Sequence, residues 1–537
     1  MADSTGMNDS AGRYQSSIVT ADGWTVEHIT SASRLHGANG IRTGADGRLY
    51  VAQVAGSQVS AIDVDSGAIE TISPMGSGIV APDDVAFDDH GNLFATELTK
   101  GRIGMRDARG QYRVVQDNMP CANPITIYQG RLIAGECRPG GRIMELDLNG
   151  GPPRIILDNV PMPNAFEVGP DGKLYIPLMG TNEIWRVDLE GGAPEVVATE
   201  LGVPDAVKFD KDGYIVSTQV ATGQVLRINP NTGEKTVLAS VAPGLDNLSF
   251  VGDRLFVSSI SGQITEILGQ DQTRPLISDG LQWPMGLALA DDGTLFIADG
   301  GYTYTKTPGA EKQCAGMLFS PGFPGFTRGV VSSGQGSWIV TTANGDVARF
   351  QPGSQHSEVL ASGFDRLMGV ALTSQGVPVF AELGRGRLLL LDGDAPTVLA
   401  EELADPAGVA VDAEGGVYVA EAAAGRVSVL RGSRRDTAVD GLAKPQGIAI
   451  RGETLYIVDS ELKELIAVNL ADGQRQTLAS GLPVGTPSGV EVEPLGGVGE
   501  LAGPMISFTG LAVDGGGALY IAADAEGSVL CLRPDSQ

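Results

Sequence analysis

The sequence predicts an all-β protein built as two tandem six-bladed β-propellers, with twelve four-stranded blades in all. Composition is the first observation: the chain has 75 glycines but only 14 Phe, 11 Tyr and 4 Trp. Many glycines stand next to Asp or Asn between short apolar runs, which is typical of β-strands joined by tight turns. The second observation is a motif that recurs about every forty residues, and the third is that most copies are followed by two more strand-like runs.

The recurring motif is a short apolar strand, a turn and a second apolar strand. Three of its twelve copies are "PDDVAFDDHGNLFATE", "PNAFEVGPDGKLYIPL" and "PMGLALADDGTLFIAD". Four short strands per unit at this period are typical of a β-propeller blade, which buries its two faces only against neighbouring blades. Because twelve blades in one ring would leave a very wide hole, we expect two rings of six that join near residues 282–284.

The two ends of the chain predict how the last blade is completed. The twelfth repeat ends at "SVLCLRPDSQ" without a fourth strand, whereas an extra strand, "GWTVEHIT", precedes the first full repeat. We expect this strand, residues 23–30, to complete the last blade. The predicted organisation is a flexible tail over 1–22, a first propeller over 23–283 and a second over 284–537. Residues 300–323 and 484–504 interrupt the period, as loops over a channel mouth or as glycine-rich linkers.

A ring of polar residues distinguishes the two halves. Asn164 opens an otherwise apolar inner strand, and aligning the strands shows the residue at the same position in every repeat. The first six repeats have Asn39, Asp83, Asn123, Asn164, Asp205 and Asp246 there. The last six repeats have Met285, Arg328, Met368, Ala407, Gln446 and Thr509.

Inner strands line the axis of a propeller, so these six Asn and Asp residues are expected to form a ring around the first channel. Carboxylate and amide oxygens are the ligands of a hard divalent cation such as Ca²⁺, and crowded carboxylates repel one another unless a cation is present. Local turn chemistry is the alternative, because Asp and Asn also hydrogen-bond to nearby backbone. Turn chemistry would place them in both halves, so the contrast favours a metal site in the first propeller.

A second ring is predicted at the ends of the second strands, which return to the same face. In the first half it comprises Gln53, Glu97, Glu136, Leu178, Gln219 and Ser259. Glu97 and Glu136 could add ligands or act as acid/base groups. Acidic residues also occupy this position in the second half, at Asp299, Glu382, Glu421 and Asp459, which favours a structural role equally well.

Two further side chains are candidates near the same mouth. His36 lies three residues before Asn39, where a neutral imidazole could act as a base, bind the metal or simply serve the turn. Cys121 and Cys137 belong to the first two strands of the third blade, where they could pair, supply a nucleophile or line the pocket as free thiols.

Charge and composition limit which classes of partner and which cellular compartment we expect for this protein. A net charge of −28 and a pI near 4.5 argue against binding to nucleic acid or to an anionic membrane surface. The N-terminus does not have the pattern of a signal peptide, and no apolar run reaches spanning length. Four cysteines in so long a chain fit a reducing compartment. We therefore expect a cytoplasmic protein with a small-molecule substrate, and the oligomeric state is left open.

The ring residues resemble those of the SMP-30/gluconolactonase/luciferin-regenerating-enzyme family, whose repeats are similar to NHL repeats. The resemblance covers nearly the whole chain twice. "PNAF" resembles the family's "PNG" ligand motif, and "PDAV" resembles its "PDG" motif. The family implies six-bladed propellers that bind one divalent metal at the channel end and often hydrolyse lactones.

The resemblance implies metal ligands at Asn123, Asn164 and Asp205, with Asp205 also serving as the acid/base. This sequence departs from the family at the first blade, where Asn39 or His36 replaces a glutamate, and at Cys121, which replaces a basic residue. A weaker resemblance to virginiamycin B lyase lies in runs such as "LFATELTKGRIG".

The sequence thus predicts a metal-dependent hydrolase of lactone or ester type. One divalent metal, with Ca²⁺ preferred and Zn²⁺, Mg²⁺ or Mn²⁺ as alternatives, would polarise the substrate carbonyl. Asp205 would be ligand and proton shuttle, assisted by His36 or Glu136. A metal-dependent lyase and a non-catalytic binding scaffold are the alternative hypotheses.

Overall fold

The computed structural model describes residues 12–393 and 395–535, which form 49 β-strands and two 3₁₀ helices in two compact units. Leu35–Asp279 together with Glu491–Leu501 form the unit named here the N-terminal propeller. Gly280–Val490, the residues from Ala502 onwards and the described residues up to Arg34 form the C-terminal propeller. The described residues contain no helix long and apolar enough to cross a membrane.

The N-terminal propeller has six four-stranded antiparallel sheets, each following the order of the chain from the inner strand outward. Its strands are β3 (Ile41–Thr43), β4 (Leu49–Gln53), β5 (Gln58–Ile62), β6 (Ile69–Ser73), β7 (Pro82–Phe87), β8 (Leu93–Glu97), β9 (Arg102–Arg106), β10 (Tyr112–Gln116), β11 (Ala122–Tyr128), β12 (Arg131–Glu136), β13 (Gly141–Leu146), β14 (Arg154–Val160), β15 (Glu167–Val168), β16 (Leu174–Leu178), β17 (Glu183–Val187), β18 (Glu195–Ala198), β19 (Pro204–Phe209), β20 (Ile215–Gln219), β21 (Gln224–Ile228), β22 (Lys235–Ser240), β23 (Leu245–Val251), β24 (Arg254–Ser259), β25 (Ile264–Gly269) and β26 (Gln272–Ile277).

The C-terminal propeller also has six sheets. Its strands are β1 (Val19–Thr20), β2 (Trp24–His28), β27 (Pro284–Leu289), β28 (Leu295–Asp299), β29 (Tyr302–Lys306), β30 (Gln313–Met317), β31 (Thr327–Gly334), β32 (Ser337–Thr342), β33 (Val347–Gln351), β34 (His356–Ala361), β35 (Leu367–Leu372), β36 (Pro378–Glu382), β37 (Arg387–Leu390), β38 (Thr397–Ala400), β39 (Pro406–Val411), β40 (Val417–Glu421), β41 (Arg426–Arg431), β42 (Arg434–Val439), β43 (Pro445–Arg451), β44 (Thr454–Asp459), β45 (Glu464–Asn469), β46 (Arg475–Ser480), β47 (Leu511–Val513), β48 (Leu519–Ala523) and β49 (Ser528–Pro534). The 3₁₀ helices are Pro352–Ser354 and Ala422–Ala424.

These sheets confirm the predicted fold of two six-bladed propellers. Each sheet is open, and each ring forms because the inner strand of one sheet packs on the inner strand of the next. The turn in the fourth repeat shows why the chain folds this way locally. Gly172 adopts a φ of 74°, which favours glycine, and the Asp171 carboxylate accepts a hydrogen bond from the Lys173 amide at 3.1 Å.

The N-terminal strand β2 is the outer strand of the last blade. It pairs antiparallel with β49, with Trp24 opposite Pro534 and His28 opposite Leu530. Strand β1 adds a fifth strand to the preceding sheet, which has the order β1-β46-β45-β44-β43. Residues 12–22 of the predicted tail therefore include a paired strand, whereas residues 1–11 lie outside the described part of the chain.

The two interruptions of the repeat have different structures. Residues 300–323 include β29 and β30, so this region supplies the outer half of a blade rather than a loop over a channel mouth. Residues 484–504 lie outside the strands, and Glu491–Leu501 within them belongs to the N-terminal propeller. The observed boundary between the propellers, Asp279/Gly280, is a few residues before the predicted join.

The core of each propeller lies between neighbouring sheets. Second strands supply many of its largest side chains, and Phe94, Phe256, Phe296 and Phe380 from such strands are almost fully buried. Alternation along the strands is incomplete because both faces of most blades are covered, so the inner strands have near-continuous buried runs.

Six glycines bring the inner strands of the C-terminal propeller into close contact. These residues are Gly286, Gly329, Gly369, Gly408, Gly447 and Gly510. A Cβ atom on any of them would lie 2.1 to 2.8 Å from a carbonyl oxygen of the next inner strand. These glycines line a cavity of about 40 Å³ between the inner strands.

We predict that Gly408→Ala destabilises the C-terminal propeller by about 1–3 kcal/mol, because its Cβ would stand 2.2 Å from the Gln446 carbonyl oxygen. Gly353→Ala is the matched control, since nothing lies within 4 Å of its Cβ position, and it should change stability by less than about 0.5 kcal/mol. Urea unfolding measures both. Equal midpoints for the two variants would contradict the close approach.

Candidate functional site

The six Asn and Asp residues of the predicted ring are buried in the N-terminal propeller. Each stands at or just before the start of an inner strand, and their exposed fractions lie between 4% and 9%. These residues are Asn39, Asp83, Asn123, Asn164, Asp205 and Asp246. Buried polar side chains cost free energy unless they have hydrogen-bond or ionic partners, so these six residues need such partners.

The ring residues pair with one another as three amide–carboxylate couples. Asn164 Nδ2 donates to Asp205 Oδ2 at 2.8 Å, and Asn39 Nδ2 donates to Asp246 Oδ2 at 3.2 Å. The Asn123 side chain hydrogen-bonds to Asp83. The structure therefore joins each carboxylate to the amide of an adjacent blade, and the six ring residues form three separate pairs.

Burial and mutual repulsion disfavour the charged forms of the three ring carboxylates. Burial, followed by the Asp84 carboxylate, raises the pKa of Asp83 to about 7 despite the hydrogen bond from Asn123. Burial and the nearby Asp246 and Asp83 raise the pKa of Asp205 well above its ordinary value. Burial and Asp83 likewise raise the pKa of Asp246, against the hydrogen bond from Asn39. A cation at the ring would relieve this repulsion.

The donor set fits a hard divalent cation, although carboxylates alone do not make the site. Among the described residues, no group of three or more His, Cys, Asp or Glu side chains is arranged to hold a metal ion. Amide oxygens would therefore have to take part, and the Asn164 oxygen accepts one hydrogen bond, from the Ala165 amide at 2.8 Å, leaving a lone pair. Asp205 Oδ1 is buried and has no hydrogen-bond partner, which is the condition expected of a ligand atom.

The corresponding level of the C-terminal propeller has different chemistry. Its side chains are Met285, Arg328, Met368, Ala407, Gln446 and Thr509. Arg328 is almost fully buried and donates to the carbonyl oxygens of Leu367 at 2.6 Å and Pro504 at 2.7 Å. A buried guanidinium at this level disfavours a cation, so the acidic ring distinguishes the N-terminal propeller.

The second ring, at the ends of the second strands, ties blades to the segments that lead into them. Glu97 accepts from the Val80 amide, Gln219 from the Gly202 amide, and Gln53 from the His36 amide. In the C-terminal propeller Glu382 accepts from the Asp365 amide and Glu421 from the Ala404 amide. Every one of these bonds spans 17 residues, which indicates a structural role shared by both propellers.

Glu136, a predicted assisting group, forms ion pairs with two arginines. It is fully buried, Arg138 donates to its Oε2 at 2.8 Å, and Arg142 Nε donates to its Oε1 at 3.1 Å. The geometry does not favour proton transfer by Glu136. His36, the other predicted assisting group, packs its imidazole against Gly56 in the turn after β4 and is partly exposed, so its role stays a prediction.

The two cysteines near the mouth are free thiols rather than a disulfide. The Cys137 amide donates to the Cys121 carbonyl oxygen at 2.8 Å, and Cys137 Sγ lies 3.9 Å from Met179 Sδ. Burial, followed by the charge of Asp205, raises the pKa of the Cys137 thiol well above its ordinary value. A raised pKa disfavours the thiolate and therefore a nucleophilic role.

A second polar level, three residues further along each inner strand, was missed from the sequence. In the N-terminal propeller it comprises Arg42, Ala86, Thr126, Glu167, Lys208 and Ser249. In the C-terminal propeller the same positions are Ala288, Val331, Ala371, Ala410, Ala449 and Ala512. Comparison of the halves at this position, as was done for the ring, would have revealed it.

This second level is a charged network under the ring. Lys208 Nζ donates to Glu167 Oε2 at 2.5 Å, and Arg42 Nη1 lies 3.6 Å from the same oxygen. Burial would raise the pKa of Glu167, but Lys208 and Arg42 outweigh it and lower that pKa. Arg42 Nη2 also lies 3.9 Å from Asp84 Oδ2, a buried atom that has no hydrogen-bond partner. Two cations thus partly offset the acidic ring.

Residues 30–261 match the family model described as SMP-30/Gluconolactonase/LRE-like region, which spans nearly all of the N-terminal propeller. A virginiamycin B lyase from Staphylococcus aureus is 17% identical, over 51% of this chain and 96% of that chain, with a TM-score of 0.38. A gluconolactonase from Xanthomonas campestris is 16% identical, over 46% of this chain and 97% of that chain, also with a TM-score of 0.38. Among curated proteins, none matches the chain.

We predict that Asp246→Asn stabilises the protein in the presence of a chelator. Keeping this buried acid beside other carboxylates costs free energy at neutral pH, whether its charge is buried or a proton is taken up, and an amide of the same shape avoids both. The free energy of unfolding should rise by about 1–3 kcal/mol.

The control is Asp253→Asn, at an exposed turn of the same propeller, which should change stability by less than about 0.5 kcal/mol. Urea unfolding with and without chelator measures both variants. A loss of stability in Asp246→Asn without metal would contradict the electrostatic reading of the ring.

Proposed function

We propose that the protein is a metal-dependent hydrolase of lactones or related esters, a proposal supported by the match of residues 30–261 to the SMP-30/Gluconolactonase/LRE-like family model. The single observation that carries the proposal is the buried ring of three amide–carboxylate pairs, in which Asp205 Oδ1 has no partner. Such oxygens serve a function when burial makes them costly and no structural partner explains them.

The ring oxygens would hold the metal. Asp205 and Asn164 would be its main ligands, and Asn123 and Asp83 would be further ligands. Ca²⁺ is the preferred ion because all donors are oxygens, with Zn²⁺, Mg²⁺ and Mn²⁺ as alternatives. When bound, a divalent cation supplies a positive charge that polarises the carbonyl of an ester and stabilises negative charge as it develops.

The chain's own residues provide the proton transfer. Asn164 holds Asp205 through Oδ2, and the Asp205 carboxylate accepts a proton from the water that attacks the acyl carbon. The bond from the acyl carbon to the ring or ester oxygen then breaks, and that oxygen takes the proton from Asp205. The products are a hydroxy acid, or an acid and an alcohol, and one water is consumed. Lys208 and Arg42 keep the total charge beneath the ring close to balance.

The first test is the metal content. We expect about one equivalent per chain in wild-type protein that has never been exposed to chelator, and loss of that metal in Asn164→Ala with Asp205→Ala. Gln446→Ala is the matched control, because it changes the ring position of the C-terminal propeller and should keep the metal. Elemental analysis measures all three. A wild-type protein without metal would overturn the metal-dependent proposal and favour a binding scaffold.

The second test is the reaction itself. Wild-type protein should convert a lactone or ester to a product heavier by one water, and Asp205→Asn should lower kcat by about 10²–10⁴-fold because the proton acceptor is lost. Asp253→Asn should leave kcat unchanged. Mass spectrometry of the product measures the outcome. A product of unchanged total mass, in which a C–H proton next to the carbonyl has passed to the released carboxylate and a carbon–carbon double bond has formed, would instead identify a lyase.

A further inference from the structure

The segment Glu491–Leu501, named here the cover segment, lies in sequence between β46 and β47 of the C-terminal propeller. It nevertheless packs within the compact unit of the N-terminal propeller. Its sequence, "EVEPLGGVGEL", is one of the two interruptions of the repeat. The proposed function assigns no role to these residues, and the two alternatives from the sequence were a loop over a channel mouth and a plain linker.

The contacts of the cover segment are specific rather than those of a linker. Glu493 forms an ion pair with Lys100, which lies just after β8. The side chains of Leu495 and Val498 are buried, at 5% and 8% exposure. A linker that only spanned a distance would not bury two aliphatic side chains.

Two glycines let the cover segment approach the blades closely. A Cβ atom on Gly496 would lie 2.9 Å from the Thr99 carbonyl oxygen. A Cβ atom on Gly499 would lie 3.3 Å from Cys121 Sγ, and Gly499 has a φ of 53°. The backbone of the segment therefore lies directly on the thiol of Cys121, which is 7% exposed.

Cys121 connects the cover segment to the ring. It is two residues from Asn123, and its carbonyl oxygen accepts from the Cys137 amide. Cys137 in turn is close enough to Asp205, Asp83 and Asp246 for their charges to affect its thiol. The segment thus lies over the blade-three side of the same mouth at which the ring carboxylates stand.

We propose that the cover segment is a wall of the candidate pocket that selects compact substrates, and that the Lys100–Glu493 ion pair holds it closed. The selectivity rests on the proposed function, whereas the position and opening of the wall do not. Lys100 and Glu493 are 29% and 58% exposed, so their attraction is weak and screened by salt. The wall can therefore open to solvent while the propeller stays folded.

The first experiment measures the opening without any substrate. In a Cys314→Ser background, which removes the exposed thiol, the rate at which a maleimide modifies Cys121 is followed by peptide mass spectrometry. Lys100→Glu replaces an attraction by a repulsion and should raise this rate about five- to tenfold. Adding Glu493→Lys should restore the wild-type rate, and salt should raise the rate in wild type more than in Lys100→Glu.

A matched control breaks a different ion pair of the same propeller. Lys173→Glu removes the pair with Glu195 on the fourth blade and should leave the Cys121 rate unchanged. Cys137, which is also buried, should stay unmodified in every variant, which shows that the propeller has not unfolded. Equal Cys121 rates in wild type, Lys100→Glu and the charge-swapped double variant would overturn the proposal.

The second experiment tests selectivity with a small lactone and one that carries a bulky substituent. The ratio of kcat/KM for the bulky over the small lactone should rise in Lys100→Glu and return in the charge-swapped variant. An unchanged ratio together with a faster Cys121 rate would overturn the wall as a determinant of selectivity. If wild type hydrolyses neither lactone, the proposed function fails, and the labelling rates still decide whether the segment is a movable cover.

A covalent lock provides an independent check of position. Gly499→Cys should form a disulfide with Cys121 under mild oxidation, because the distance of 3.3 Å between the new Cβ and Cys121 Sγ is close to that within a disulfide. The lock should abolish the salt dependence of bulky-lactone turnover and protect Cys121 from maleimide. Failure of this disulfide to form would contradict the placement of the segment on Cys121.

Discussion

The close approach of six inner strands around an axis is the constraint on which the rest of this structure depends. In the C-terminal propeller a glycine follows the ring position in every blade, so the backbones of neighbouring inner strands are in close contact. The cavity between these strands is only about 40 Å³. In the N-terminal propeller only Gly40 keeps this role, and the other five positions carry larger residues, Asp84 and Pro124 among them. The same blade plan therefore gives one tightly closed axis and one that has room for polar side chains.

Polar groups buried at that axis need partners, and this requirement orders the N-terminal channel into two levels. At the upper level each carboxylate receives an amide hydrogen from a neighbouring blade, as Asp205 does from Asn164. At the lower level Lys208 and Arg42 share Glu167. The two levels leave Asp205 Oδ1 and Asp84 Oδ2 without hydrogen-bond partners. Stability alone does not explain buried carboxylates with orphan atoms, because an apolar residue would avoid their cost, as Met285, Met368 and Ala407 do at ring positions of the other propeller.

Acidic residues at the ends of the second strands have a structural role that differs from that of the ring carboxylates. In several blades of both propellers they hold the segment that enters the blade through the same 17-residue hydrogen bond, as in Glu97 and Glu421. They fix the frame on which the ring stands, and Glu136 belongs with them through its two arginines. The cover segment then adds to this frame a wall that a weak ion pair holds, so the mouth combines a rigid floor with one movable side.

The sequence by itself determined the blade repeat, the count of two times six and the ring at Asn39, Asp83, Asn123, Asn164, Asp205 and Asp246, because strand and turn signals are local and the repeat aligns equivalent positions. A comparison of the two halves could also have shown the level of Arg42, Glu167 and Lys208. Only the tertiary structure decided which amide pairs with which carboxylate, that Glu136 is held by arginines, and that residues 491–501 pack beside Cys121. The amide–carboxylate pairs and the packing of residues 491–501 depend on contacts between residues far apart in the chain, on which a local pattern carries no information. The arginines that hold Glu136 are only two and six residues away, but the directions of their side chains depend on the folded blade.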